Sequence, residues 1–487
     1  MRPSRAVALL ACCLATAAAA AELVLDFDSN PAAPDLVCPP AASSPPKPRP
    51  PRPAGAPWPA EEVLAALGTT ETLSQGAPDP ALLTHFRLDN LGSRDRRLRV
   101  AVWGDSHAAA GGLEAAFRHA LADAGVASEQ RSMGPTAGRP GVALPARKHC
   151  LAGKWQFEPL YLARDNAVTS GPGLANLRAV ERDSAVLLDL RTAQRKPALA
   201  ALTVLYAPPA SAVELELSVD GGAARRVTLP PESGAAHAPG RLLLRTAEGL
   251  STLRLRVLRG PFVWQGAVLE PLESAPVQLD FFAFPSATVR GWAQVDVDYL
   301  RRALPPAGYD AIVLQYGTNE GNAEHFDPKA YADLLAAALG RVRAVFPEAS
   351  CVLVGPTDRG VPLDQIPLPE TGPPGRAPMP GQTLAALLRY SEIHRQIGEI
   401  QAETAARYRC AAWNWQAFMG GRGGAYRWSQ GKPRLGADDL IHLTPEGYRR
   451  SGLALARWLG WTRKSGAAQT ALQSGQPDSR TRLRDSP

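Results

Sequence analysis

The sequence predicts an α/β protein: a doubly wound parallel sheet with helices on both faces, interrupted by an inserted antiparallel β sandwich or jelly roll. Apolar runs such as Val100–Trp103, "AIVLQYG" (311–317), "SCVLVGP" (350–356) and "CAAWNW" (410–415) alternate with amphipathic helical patterns, the pattern of strands buried on both sides. Between about Trp155 and Asp280 the period changes to two: Val213, Leu215, Leu217 and Val219 alternate with polar residues before the Asp220-Gly221-Gly222 turn, and Leu253, Leu255 and Val257 alternate with arginines. Such alternation between Gly-rich turns describes strands with one buried face.

The chain of 487 residues exceeds what one core usually serves, so two folded units with extra segments are expected. Residues 1–21 carry Arg2 and Arg5, an apolar run and small residues, the anatomy of a secretory signal with cleavage near Ala21. A lipoprotein-type box at Leu10-Ala11-Cys12 is the lesser alternative, because the apolar stretch before Cys12 is short. No later segment offers about 18 uninterrupted apolar residues, so no transmembrane helix is expected and the protein reads as exported, periplasmic or secreted. A Pro-rich linker follows at 39–58, then the first part of the α/β domain at 59–150, the insert at 155–280, the second part at 281–462 and a polar, aperiodic tail at 463–487.

Within the α/β parts, the strand at Leu98–Trp103 is expected to be central, with its following helix ending near Gly125. The face Tyr331, Leu334, Leu335, Ala338, Leu339, Val342 and Val345 predicts a helix, as does the series Leu387, Tyr390, Ile393, Ile397 and Ile400. The closing helix starts with Thr444 as N-cap and Pro445 at its first position. Trp103 and Trp292 read as core.

The net charge of +7 resides mainly in the leader, the Pro-rich stretch and the tail, leaving the folded part near neutral and arguing against nucleic acid. Of six cysteines, Cys12 and Cys13 leave with the leader. Cys38, Cys150, Cys351 and Cys410 match no zinc or redox spacing, so no metal site is expected; buried thiols or one or two disulfides fit an oxidising compartment. Cys351 and Cys410 each begin an apolar run and pair if those strands are neighbours.

Three polar stretches leave or flank strand ends: Gly104-Asp105-Ser106, Gly317-Thr318-Asn319-Glu320 and, in the loop before the closing helix, Asp439-Leu440-Ile441-His442. In an open α/β sheet the ligand crevice lies beyond the carboxyl ends of the strands, so the three converge. Ser106 reads either as a nucleophile at a helix mouth or as that helix's N-cap. His442 can take its proton, Asp439 can fix the His442 tautomer, and Asn319 can serve as an oxyanion donor or as an ordinary turn residue.

The ordered set "GDSH", "GTNE" and "DDLIHLTPEGY" resembles the SGNH or GDSL-type hydrolases, and is most similar to exported polysaccharide O-acetylesterases, such as peptidoglycan O-acetylesterases, with a carbohydrate-binding-like β-sandwich insert. The resemblance implies a flavodoxin-like three-layer fold, Ser106, Asp439 and His442 as triad, no metal or organic cofactor, and an O-acetylated polysaccharide as partner. It also implies oxyanion donors from Ser106, Asn319 and a loop in which Ser286 stands where the family has Gly. Arg422, Tyr426 and Trp428 in the Gly-rich loop "FMGGRGGAYRWSQG" are expected at the substrate rim. The alternatives are a polysaccharide O-acetyltransferase and a wall-binding protein of weak activity.

Overall fold

A computed structural model describes residues 22–28, 30, 33–39, 60–67, 76–88, 91, 97–231, 238–322, 325–362 and 381–461. The expected leader at 1–21, the Pro-rich linker beyond Pro39 and the tail at 463–487 lie outside the described residues.

Six strands form the α/β sheet, in the order Cys410–Trp413, Ser350–Val354, Ala311–Gln315, Leu98–Gly104, Val277–Ala283, Ser128–Glu129, and every pairing between them is parallel. The strand Leu98–Gly104 is central, its Val100 opposite both Leu279 and Ala311. Each strand feeds both faces of the sheet. Ala101 and Trp103 join one core with Leu314, Leu339 and Ile397. Leu98, Val100 and Val102 join the other with Phe117, Leu121 and Leu455. The helices Pro328–Val345 and Arg389–Arg407 cover the first face, and Gly112–Asp123 and Pro445–Trp458 the second. Trp103 and Trp292 are core residues stacked edge-on at 5.1 Å.

The β sandwich draws on more of the chain than 155–280. One sheet runs Glu22–Phe27, Gly240–Leu250, Leu199–Tyr206, Val263–Pro271, Ala175–Ala179, Trp155–Pro159, with Ser132–Met133 beside Val263–Pro271. The other runs Arg225–Leu229, Val213–Val219, Thr252–Arg259, Ala185–Asp189, Lys148–Ala152. Two expected boundaries therefore shift. The sandwich takes in Lys148–Ala152, which had been placed in the first α/β part, and Val277–Ala283 leaves it for the parallel sheet, because its side chains are buried on both faces. The acidic segment before the linker also joins it: Glu22–Phe27 pairs with Gly240–Leu250, and in parallel.

Both pairs of remaining cysteines form disulfides, Cys38–Cys150 and Cys351–Cys410. The second joins directly opposed residues of adjacent parallel strands; the first ties the N-terminal segment to the sandwich. Among the described residues, no helix is long and apolar enough to cross a membrane.

Candidate active site

The central strand ends at Gly104, where a Cβ would stand 2.7 Å from the Ala108 Cβ and 2.9 Å from the Gln315 Oε1. Only a residue without a side chain lets the strand turn this tightly into the short helix Ser106–Ala109. Asp105 caps that helix, its carboxylate accepting from the His107 N–H at 2.9 Å. Ser106 is thus the first helical residue rather than the cap, and its hydroxyl is free for another partner. That partner is His442, whose Nε2 lies 2.9 Å from the Ser106 Oγ.

His442 stands just before the closing helix, which Thr444 caps as expected, accepting from the Gly447 N–H at 3.2 Å. The turn preceding it is wound around Asp439. One oxygen of that carboxylate accepts from the backbone N–H of Ile441 at 3.0 Å and of His442 at 2.9 Å, and the other lies 2.7 Å from the His442 Nδ1. Leu440 takes φ 58° to close the turn. Since a carboxylate only accepts, the Nδ1 carries the proton and the Nε2 is left to accept from Ser106.

The electrostatics follow from these contacts. Burial by itself would raise Asp439, but the hydrogen bonds from the His442 ring and the two backbone N–H groups outweigh it and hold the carboxyl well below its usual range. The hydrogen bond to Asp439 raises His442 against the opposing effect of its burial. Asp105 is pushed up to about 6 by burial.

The GDSL-like lipase/acylhydrolase family model matches residues 251–450, which include the Asp439–His442 turn. That stretch of the chain is similar to the GDSL-type acylhydrolases. The matched stretch starts inside the sandwich and omits Ser106, which the parallel sheet returns to His442 across 336 positions of sequence. A solved structure titled "Peptidoglycan O-acetylesterase in action, 5 min" aligns with a TM-score of 0.54 at 19% identity, over 78% of this chain and 95% of that one, and shows the shared fold. The carbohydrate esterase family 2 enzyme of Corynascus thermopiles (Myceliophthora fergusii), with its carbohydrate-binding domain, aligns more loosely, with a TM-score of 0.25 at 12% identity over 63% of this chain and 100% of that one. No curated protein sequence matches the chain.

Two further loops of the α/β part meet beside the Ser106 turn. Phe284 donates its N–H to the Gly104 carbonyl at 3.3 Å, which ties the loop holding Ser286 to the Ser106 turn. Ser286 is exposed and adopts φ 70°, a backbone region that suits Gly and costs an L-residue about 1–2 kcal/mol. Asn319 donates one amide hydrogen to the Ala287 carbonyl at 2.9 Å and keeps a second. Glu320, quoted within "GTNE" but given no role from sequence, joins the two loops: its oxygens accept from the N–H of Val289 at 2.8 Å and of Gly317 at 3.0 Å. Burial pushes Glu320 up to about 7.

A buried layer behind the dyad was also missed. His107 lies 3.1 Å from the Tyr448 hydroxyl and 3.2 Å from the Thr357 Oγ1, with its ring 5.2 Å from that of His442. Burial holds His107 well below the usual histidine range, so it stays neutral. Thr357 in turn donates to the Ile441 carbonyl at 3.4 Å. "GDSH" and "PEGY" contain His107 and Tyr448, but only the fold makes them neighbours.

The expected substrate rim is corrected. Tyr426 is 3% exposed; its hydroxyl accepts from the Val361 N–H at 2.8 Å and lies 3.0 Å from the carbonyls of Val361 and Leu387, so it is a structural tyrosine. Trp428 is half-buried, edge-on to Phe418 at 5.9 Å. Arg422 is exposed and lines a cavity of about 700 Å³ with Trp413, Asn414 and Arg427. Neither Ser106, Asn319 nor His442 lines that cavity. The expectation of a rim for this loop rests on aromatic faces suited to sugar rings and on the resemblance to acetylesterases with similar Gly-rich loops. Instead, its helix Gly424–Gln430 packs Ala425 and Tyr426 against Val63, Leu387 and Leu440.

Proposed function

We propose that the protein is an exported serine esterase that removes O-acetyl groups from a cell-wall or extracellular polysaccharide, with peptidoglycan the favoured polymer. The observation that carries the reading is the unbroken relay from the Ser106 Oγ to the His442 Nε2 and from the His442 Nδ1 to Asp439, at 2.9 and 2.7 Å. His442 takes the Ser106 proton as the Oγ attacks the acetyl carbonyl. The oxyanion that forms accepts from the N–H of Ser106, the N–H of Ser286 and the second amide hydrogen of Asn319. The sugar oxygen leaves with the proton from His442, and water, deprotonated in turn by His442, hydrolyses the acetyl-enzyme. Asp439 orients the ring and stabilises the imidazolium. The likeness in fold to a peptidoglycan O-acetylesterase supports the choice of polymer, and two disulfides fit an oxidising compartment.

The test is acetate release from 4-nitrophenyl acetate and from O-acetylated peptidoglycan, by the wild-type protein and by Ser106→Ala. Turnover of both substrates by the wild type and its loss in the variant are expected. Acetate release equal in the two proteins would overturn the reading; acetyl transfer to an added sugar without free acetate would favour the acetyltransferase.

A further inference from the structure

Two guanidiniums that make no ion pair among the described residues stand beside the catalytic turn. Arg359 belongs to the loop after the strand Ser350–Val354, and residues on both sides of it are fastened to the turn that carries His442. Gly360 donates its N–H to the Leu440 carbonyl at 2.9 Å, and Thr357 donates its hydroxyl to the Ile441 carbonyl at 3.4 Å. Asp358 is buried below, accepting from the Ala425 N–H, the Ser391 hydroxyl and the Gln416 amide. The loop is therefore held from beneath, and the half-buried Arg359 is laid over the ring of Tyr390, its guanidinium carbon 4.1 Å from the centroid. Arg389 approaches the same ring at 4.5 Å and donates to the Tyr390 hydroxyl at 2.7 Å.

Among the described residues no carboxylate lies within ion-pair distance of either guanidinium, Asp439 attracts Arg359 only from further off, and the Arg359 Nε is buried without a hydrogen-bond partner. Elsewhere in the α/β part, Arg395 pairs with Glu392 and Glu399, and Arg434 with Asp438. Two like charges on one tyrosine repel each other, and Arg359 opposes, as a minor contribution beside that of Asp439, the positive charge that His442 acquires in the reaction. An anion held by the two guanidiniums relieves their mutual repulsion. A guanidinium keeps its charge throughout the working pH range and offers parallel N–H donors that match a carboxylate.

We propose that Arg359 and Arg389, aligned by Tyr390, bind a carboxylate of the polymer next to the acetylated sugar, so that the substrate class is an anionic glycan. The inference rests on the esterase reading above and narrows its substrate. The carboxylate has two sources of the same chemistry, the lactyl or peptide carboxylate of peptidoglycan and the carboxylate of a uronic acid. Bound there, it compensates the charge of Arg359 and makes His442 a better base only when the correct polymer is in place.

The experiment compares kcat/KM for acetate release from three esters: soluble O-acetylated peptidoglycan fragments, O-acetylated polygalacturonate, and neutral O-acetylated xylo-oligosaccharide. The proteins are the full-length wild type, R359Q/R389Q and the charge-retaining R359K/R389K. The wild type is expected to prefer at least one anionic ester to the neutral one, and the anionic-to-neutral ratio falls roughly ten- to a hundred-fold in R359Q/R389Q, as charged hydrogen bonds are lost. R359K/R389K is expected to recover part of it. Whichever anionic ester carries the preference identifies the source. A wild-type ratio of one, or a ratio unchanged in R359Q/R389Q, overturns the inference while leaving the esterase intact. If the wild type hydrolyses none of the three, the esterase reading fails. The cation pair is then judged by calorimetric titration of Ser106→Ala protein with trigalacturonate and with soluble peptidoglycan fragments: binding of either that is lost on adding R359Q/R389Q upholds it, and binding of neither refutes it.

Discussion

Replacing Ser286 with Gly separates the cost of a backbone conformation from the chemistry performed there. Ser286 holds φ 70°, which costs a residue with a Cβ about 1–2 kcal/mol. Gly removes that cost but adds about 0.4–1 kcal/mol of unfolded-state freedom. The exposed Ser286 side chain makes no hydrogen bond among those described, so little else is lost. The net expectation for Ser286→Gly is a gain of roughly 0–1.5 kcal/mol, a rise of no more than about 5 °C in the unfolding midpoint of a domain this size. The donor is a backbone N–H that Gly retains, so turnover of 4-nitrophenyl acetate stays within a few-fold of wild type. Ser286→Pro is the opposite probe. It removes the N–H and forces a negative φ, and should lower kcat by on the order of 10²–10³-fold, the usual effect of losing one oxyanion donor. Thermal unfolding and steady-state kinetics of both variants form the assay. A Ser286→Gly protein destabilised by more than about 1 kcal/mol, or a Ser286→Pro protein of normal kcat, would refute the reasoning.

Asp439→Asn keeps an oxygen for the Ile441 and His442 N–H groups but turns an amide towards the His442 Nδ1, moving the ring proton to the Nε2. A fall in kcat of about 10²–10⁴-fold is expected. Because Asp439 raises His442, and activity needs His442 neutral, activity climbs as pH rises through a value above 6.5; the acidic limb of the variant's residual profile moves to lower pH. Tyr448→Phe removes the partner 3.1 Å from the His107 Nδ1 and leaves a buried polar atom unpaired, a loss of about 1–3 kcal/mol in denaturant unfolding. Joint replacement of Cys351 and Cys410 by Ala releases a loop of sequence separation 59; a loss of about 2–4 kcal/mol is expected from chain entropy, read as a lower unfolding midpoint of the α/β domain.

The layers of the fold were legible because burial on two faces and burial on one leave different periods in the sequence. The runs at 311–317 and 350–356 contain the parallel strands Ala311–Gln315 and Ser350–Val354, and the alternation at 213–219 became a strand buried at every second position. The edges were not legible. Glu22–Phe27 alternates in no way that names its partner, and its parallel pairing with Gly240–Leu250 depends on a neighbour more than 200 residues away. Tyr426 was misplaced for a related reason: a Gly-rich aromatic stretch has the composition of a surface loop, and its burial comes from Val63, Leu387 and Leu440 packing over it.

By itself, the sequence determined the fold class, the strand-end positions of Ser106 and Asn319, the place of Asp439 and His442 before the closing helix, and the local devices that are complete within a few residues, such as the Thr444 cap. The φ of 70° at Ser286, where the resemblance implies a glycine, was seen only in the structure. Only the tertiary structure decided which cysteines join, that Asp105 rather than Ser106 caps the short helix, that Glu320 bridges two loops, and that Arg359 and Arg389 share one tyrosine. These are matters of distance between segments far apart in the chain, and distance is set by how strands order in a sheet and how helices pack across it.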